Sequence, residues 1–199
     1  MSSISALILA AGRSSRFGSP KSLARIGAAT ALGSLLEIAH AAKLDPVITV
    51  LGPEADRIRD VVGKTVCTWI VNHNYSLGQT SSLQTGLNTL KGTEIGVALF
   101  LVDHPFVRSE TVSQLAANFT SNRERVVRPT WHGRGGHPTF IPASVFGDLL
   151  RLHPNESVRG VLHQKDRLMD VPVNDNGVRD EFDTQEEYQR LLEKYDALR

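Results

Sequence analysis

Arg13, Arg16 and Lys21 gather three cations within nine positions, and Gly12 and Gly18 stand among them. Residues of these types at this spacing suit a polyphosphate. The glycines admit backbone conformations closed to other residues, so 12–18 can turn successive N–H groups toward an anion. Arg16 adds a guanidinium fork matched to phosphate oxygens, and Lys21 adds a point charge. A solvated basic loop is the plain alternative. The spacing is neither G-x-x-x-x-G-K-[ST] nor G-x-G-x-x-G, so neither familiar phosphate-loop rule applies. Further along, Asp103 follows an aliphatic run, where a carboxylate would sit at the ligand-facing edge of a parallel sheet. Mg²⁺, a hard octahedral ion, commonly takes one or two such carboxylates together with substrate phosphates. Otherwise Asp103 starts the turn before Pro105.

These groups need a frame, and the hydrophobic pattern supplies one. Aliphatic runs at 4–10, 47–51, 66–71 and 95–102, bounded by Gly, Pro, Asp or Asn, read as core strands. Between them 31–43, 54–62 and 81–91 read as crossover helices. Alternation of this kind predicts an α/β, Rossmann-like fold, a mostly parallel sheet with helices on both faces. The loops at 11–21, 72–80 and 103–107 should then share one sheet edge. After 107 the pattern changes. A helix at 109–119, a strand at 125–129 and the glycine-rich turn 131–138 ahead of Thr139-Phe-Ile-Pro predict an antiparallel excursion in the second half. Helices at 143–152 and 155–164, a strand at 168–173 and a last helix at 184–197 complete the reading.

The chain has 199 residues, 41% apolar and 22% charged, which predicts one globular domain over 1–199. A net charge of +1 gives no reason to expect nucleic acid or a membrane surface as partner. Cys67 has no second cysteine to pair with and reads as a buried small hydrophobe. The first residues lack a basic n-region, and no apolar run is long enough to span a bilayer, so the expected location is cytoplasmic.

Leu9-Ala-Ala-Gly-Arg-Ser-Ser-Arg-Phe-Gly-Ser-Pro-Lys21 resembles the L-A-A-G-x-S-x-R-[MF]-G-x-x-K signature of the molybdenum cofactor nucleotidyltransferases and their wider superfamily. Gly78-Gln-Thr-Ser-Ser-Leu-Gln-Thr-Gly-Leu87, Val102-Asp-His-Pro105, Arg134-Gly-Gly-His-Pro138 and Glu181-Phe-Asp-Thr-Gln-Glu-Glu-Tyr188 resemble further segments of that group. The resemblance implies a nucleotidyltransferase fold in which an acceptor phosphate attacks the α-phosphorus of a nucleoside triphosphate and pyrophosphate leaves. It implies that Leu9, Ala10, Ala11, Gly12 and Arg13 line the nucleotide and that Arg16 and Lys21 neutralise the triphosphate. By the same resemblance Gln79, Ser81 and Ser82 read the base and ribose, although helix capping uses the same residue types. Asp183 matches the second acid of a D-x-D-T-P segment and becomes the partner of Asp103 for Mg²⁺, with a cap on the last helix as the alternative. His104 and His137 fall on the acceptor side. Trp131 and Phe140 are aromatics able to pack a pterin, or else the core. Val102 stands where the molybdenum group has glycine, His104 where glutamine or another residue is usual, and Gln185 where proline is usual.

Ala10-Ala11-Gly12-Arg13 looks like the cytidylyl branch rather than the A-G-G of the guanylyl branch, which favours CTP. The resemblance thus implies transfer of CMP to the phosphate of molybdopterin or its molybdenum form, with a molybdoenzyme or its maturation chaperone downstream. The alternatives are the same chemistry with GTP or with a sugar or polyol phosphate, and a non-catalytic protein that delivers the molybdenum cofactor. A nicotinamide oxidoreductase would share the alternating pattern, but its G-x-G-x-x-G fingerprint does not follow the first strand.

Overall fold

A computed structural model describes residues 3–63 and 65–197. In chain order the elements are β1 (Ile4–Ala10), β2 (Arg25–Ile26), β3 (Ala29–Thr30), α1 (Ala31–Ala41), β4 (Val47–Leu51), α2 (Ala55–Val62) and β5 (Thr68–Val71). Then come α3 (Gln79–Leu87), β6 (Gly96–Leu101), α4 (Ser109–Ser121), β7 (Val126–Trp131), β8 (Arg134–Gly135) and β9 (Thr139–Pro142). The chain closes with α5 (Phe146–Arg151), α6 (Arg159–Leu162), β10 (Leu168–Pro172) and α7 (Gln185–Asp196). An eight-stranded sheet runs β10-β7-β9-β6-β1-β4-β5, with β8 paired to β7. Pairings of β1 with β4 and β6, of β4 with β5 and of β10 with β7 are parallel. The antiparallel excursion is β9, inserted between β6 and β7, together with β8.

Strand β1 is central because neither of its faces meets water. Ala6, Ile8 and Ala10 point into a cluster with Leu32, Leu35 and Leu36 of α1 and Val112 and Leu115 of α4. Leu7 and Leu9 point the other way, onto Leu83 and Leu87 of α3 and Leu149 of α5. A nearly unbroken aliphatic run, with the buried Ser5 as its one polar member, suits a strand covered on both sides, since regular alternation would bury polar groups all along one side. Thr30 caps α1 by accepting from Gly33 N at 3.0 Å.

Several expected elements differ. The run at 66–71 forms a strand only from Thr68, and it lies at the sheet edge, where Val66 is exposed. Cys67 is correspondingly half-buried and receives the Thr49 hydroxyl at 3.9 Å, in place of the buried position expected. The helix expected at 155–164 shrinks to the four residues of α6, because the chain turns and bends through 154–158 before it. At 143–152 a 3-10 turn, Ala143–Val145, precedes the six residues of α5. The β2–β3 hairpin has no counterpart in the sequence reading, because two-residue strands carry no period.

Candidate active site

The loop after β1 turns back sharply, with Phe17 N and Gly18 N both donating to Ser14 O at 3.0 Å. Ser14 and Gly18 take positive φ, 51° and 82°. Lys21 opens a 3-10 turn and donates its backbone N–H to Ser14 Oγ at 3.1 Å, so the loop closes on itself through Ser14. A third hydrophobic cluster holds this loop against the C-terminal segment. Phe17 packs on Phe182 and Tyr188 with ring centroids 5.2 and 5.5 Å away, and Gln185 Nε2 donates to Phe17 O at 2.9 Å.

That cluster brings together residues far apart in the chain. Lys21 Nζ lies 2.5 Å from Asp183 Oδ1 and 3.4 Å from Asp103 Oδ2, and Arg16 Nη2 lies 2.8 Å from Asp183 Oδ2. Lys21 is buried and Arg16 is exposed. The ammonium of Lys21 holds the Asp183 carboxyl below the usual carboxylate range, and Arg16 adds to that effect. Asp183 does not cap the last helix. Thr184 does, in a capping box with Glu187, whose carboxylate also accepts the Asp183 backbone N–H at 2.7 Å. The loss of proline at 185 is therefore accommodated, and the Asp183 side chain is left for the cations.

A cavity of about 340 Å³ is lined by residues 9–16, Lys21, Tyr75, Gln79, Ser82, Asp103 and Asp183. Leu9, Ala10, Ala11, Gly12 and Arg13 thus reach it, as do all the catalytic candidates. The space beside the Gly12 Cα is open. Arg13 lies over the Tyr75 ring at 5.3 Å, a cation–π contact between two walls of the cavity. Ser81 is not on its wall. Both Ser81 and Ser82 are buried, and neither caps α3, whose N-cap is Gly78. The buried Asn72 holds both, donating from Nδ2 to Ser81 Oγ at 2.9 Å and to Ser82 Oγ at 3.0 Å.

A second cavity, of about 520 Å³, shares Gln79 and Leu101 with the first and is lined by His104, His137, Arg128, Arg159, Arg179 and Glu181 among others. His104 Nε2 meets Glu181 at 3.2 Å, and the rings of His104 and His137 lie 5.0 Å apart. His104 and His137 thus line one cavity together, and Val102 needs no positive φ. Trp131 packs on His132 and Phe140 on Phe119; neither lines either cavity, so neither is placed to hold a pterin there.

Tyr75, Asn72 and Glu181 were missed in the sequence reading. Glu181 had a signal, since it occupies the first acid position of the segment that ends in Asp183. Asn72, a lone amide after a strand, had none.

Burial first, and His104 second, push the His137 imidazole from its usual 6.5 to about 3. A histidine kept neutral in the fold stabilises it above the unfolded pKa, and that contribution is lost as pH falls from about 6.5 toward 3, where the unfolded chain binds the extra proton. The thermal midpoint should therefore drop more steeply between pH 7 and 4 for wild type than for His137→Asn. Parallel slopes would remove His137 as the cause.

A family model for the MobA-like NTP transferase domain matches residues 6–168. The chain belongs to this family. It is a family of nucleotidyltransferase domains, on the Rossmann-like fold that the sequence resemblance implied. Nicotine blue oxidoreductase of Paenarthrobacter nicotinovorans is 27% identical over 203 residues, covering 95% of this chain and 96% of that protein. The bifunctional protein GlmU of Paracoccus denitrificans is 30% identical over 118 residues, or 58% of this chain, and the match spans about a quarter of GlmU, 26%. Among solved structures, Rv0371c of Mycobacterium tuberculosis H37Rv superposes with a TM-score of 0.82 at 29% identity, covering 96% of this chain and 99% of that one. Rv0371c has also been solved in complex with manganese. Among the described residues no helix is long and apolar enough to cross a membrane.

Proposed function

We propose that the protein, acting as one domain over 1–199, transfers CMP from CTP to the phosphate of molybdopterin or its molybdenum form and releases pyrophosphate. The product would pass to a molybdoenzyme or its maturation chaperone. The observation that carries this reading is the convergence of Arg16, Lys21, Asp103 and Asp183 on a cavity that adjoins a second one at Gln79 and Leu101. Donor and acceptor would sit side by side, the arrangement an in-line displacement needs.

In this reading residues 9–13 line the nucleotide, with Gln79 and Ser82 at its base and ribose. Ser81 acts one step back, through Asn72. Arg16 and Lys21 leave Asp183 for the triphosphate, holding its charge as the acceptor oxygen bonds to the α-phosphorus and the bond to pyrophosphate breaks. No protein nucleophile is required. His104 and His137 face the acceptor.

Asp103 and Asp183 are hard oxygen donors held by one ammonium, and they fit Mg²⁺. Among the described residues no three or more His, Cys, Asp or Glu gather to bind an ion by themselves. Two carboxylates suit an ion that takes its remaining ligands from phosphate and water. When bound, Mg²⁺ would supply charge neutralisation on the phosphates, with Asp103 and Asp183 as its protein ligands.

The test offers the protein CTP, GTP, ATP and UTP in turn with Mg²⁺ and molybdopterin, then CTP with sugar phosphates, and follows pyrophosphate. Release is expected with CTP and the pterin, weaker release with GTP, and little with sugar phosphates. Ala11→Gly should move preference toward GTP by about 1–3 kcal/mol if room beside the base discriminates. Preference for GTP in wild type would overturn the donor assignment, and preference for a sugar phosphate the acceptor assignment. Cofactor binding without consumption of CTP would favour a delivery protein. The whole-length match to a protein named as an oxidoreductase supports a second reading, a redox reaction in these cavities, which predicts no pyrophosphate from any triphosphate.

A further inference from the structure

We infer that Asn72 is a positioning residue for nucleotide selection: it fixes the Ser82 hydroxyl as a hydrogen-bond donor to the bound nucleoside. This rests on the nucleotide reading of the cavity given above. Asn72 Oδ1 accepts the backbone N–H of Asn74 at 2.9 Å, a group that can only donate, so the orientation of the amide is settled by its own neighbour. Its Nδ2 must then face the two serines, at 2.9 and 3.0 Å, and an amide NH₂ can only donate. Both serine oxygens therefore receive a hydrogen bond, and each keeps its own hydrogen to give elsewhere. Ser81 gives its hydrogen to Asn74 O at 3.0 Å. Ser82 has no second partner among the described residues, is itself buried and lines the nucleotide cavity. Its hydroxyl therefore offers a donor on that wall.

The consequence for selectivity follows from the cost of mismatched polar groups. A hydroxyl held as a donor favours a ligand that places a carbonyl oxygen or ring nitrogen against it and disfavours one that places an amino group there. Asn72 would thus act on nucleotide choice without touching the nucleotide. Replacing the amide by a carboxylate of the same shape reverses the polarity: Asp at 72 would accept from Ser82, and the hydroxyl would turn its lone pairs to the ligand.

The experiment measures CTP binding at equilibrium by calorimetry, without acceptor, for wild type, Ser82→Ala, Asn72→Ala, Asn72→Asp and Ser82→Ala/Asn72→Asp. Ser82→Ala should weaken binding about tenfold, the worth of one hydrogen bond in a buried site. Asn72→Asp should weaken it at least as much, and more than Asn72→Ala, which frees the hydroxyl without reversing it. A purely structural role, like repulsion of the triphosphate by the added negative charge, predicts instead a penalty that does not depend on the Ser82 hydroxyl. In the Ser82→Ala background Asn72→Asp should cost no more than about twofold, because no hydroxyl remains to reverse. A penalty that persists in that background, or the order Ala weaker than Asp, overturns the proposal; so does the absence of any effect of Ser82→Ala. If Asn72→Asp fails to fold, the comparison of Asn72→Ala with and without Ser82→Ala carries the same test, with non-additivity expected and full additivity overturning it. Wild type that binds no nucleoside triphosphate would instead remove the nucleotide reading itself, and this proposal with it.

Discussion

Replacing Lys21 with methionine or alanine is expected to lower pyrophosphate release by about 10²–10³, the cost of removing one preorganised charge from a transfer at phosphorus. Lys21 is the point where the site is tied together, because its Nζ reaches Asp183 at 2.5 Å and Asp103 at 3.4 Å. In a reaction that proceeds by positioning and charge neutralisation, the loss should fall on turnover and persist at saturating CTP. Lys21 is also buried, unlike the exposed Arg16, so its removal takes a cation from both carboxylates and leaves Asp183 with the solvated guanidinium alone. The thermal midpoint of Lys21→Ala should therefore fall, whereas a cation in an exposed loop would leave it unchanged. Methionine retains the packing of the stem and should recover part of the midpoint while recovering none of the rate. Arg16→Ala, exposed and held by one partner, should lose rate with little change in midpoint. Undiminished pyrophosphate release in either variant would end the phosphate-cradle reading.

What the sequence made legible follows from which physical signals are local. Strand Ile4–Ala10 agreed to the residue because a strand covered on both faces is apolar nearly throughout, Ser5 excepted, and ends where glycine and charge begin. The three loops on one sheet edge followed from the parallel alternation, and residues from each of them line the first cavity. Short elements were illegible for the opposite reason: β2, β3 and α6 are fixed by what they pack on, and two to four residues hold no period. The site divides in the same way. Arg16 and Lys21 sit on one loop, and their spacing alone suggested an anion. The contact of Lys21 with Asp183 spans 162 positions and depends on Phe17, Phe182 and Tyr188 packing together, which no local pattern announces. Motif resemblance nominated Asp183, but only the fold shows that Thr184 takes over the capping duty. Asn72 lay beyond both routes, since its role exists only in its hydrogen-bond partners.

Asp103→Asn and Asp183→Asn are expected to abolish most Mg²⁺-dependent turnover, by about 10²–10³, since each keeps the shape of a ligand while removing the charge that holds the ion. Their effects on nucleotide binding without metal should nevertheless differ. Asp183 accepts from both Lys21 and Arg16 in the free protein, whereas Asp103 meets Lys21 alone, at the longer distance of 3.4 Å. A triphosphate that recruits those cations must first take them from Asp183. Removing that carboxylate charge removes the competitor, so Asp183→Asn should bind CTP in the presence of chelator more tightly than wild type, and Asp103→Asn should change it less. The pair of readouts separates two roles that activity alone confounds, ligand to the ion and resting partner of the cations. Calorimetric titration with CTP in chelator, followed by turnover with Mg²⁺ restored, measures both. If wild type turns over equally with and without chelator, the metal assignment of both acids fails. If Asp183→Asn binds CTP more weakly than wild type in chelator, Asp183 contributes to the nucleotide site in some way other than by holding Lys21 and Arg16 at rest.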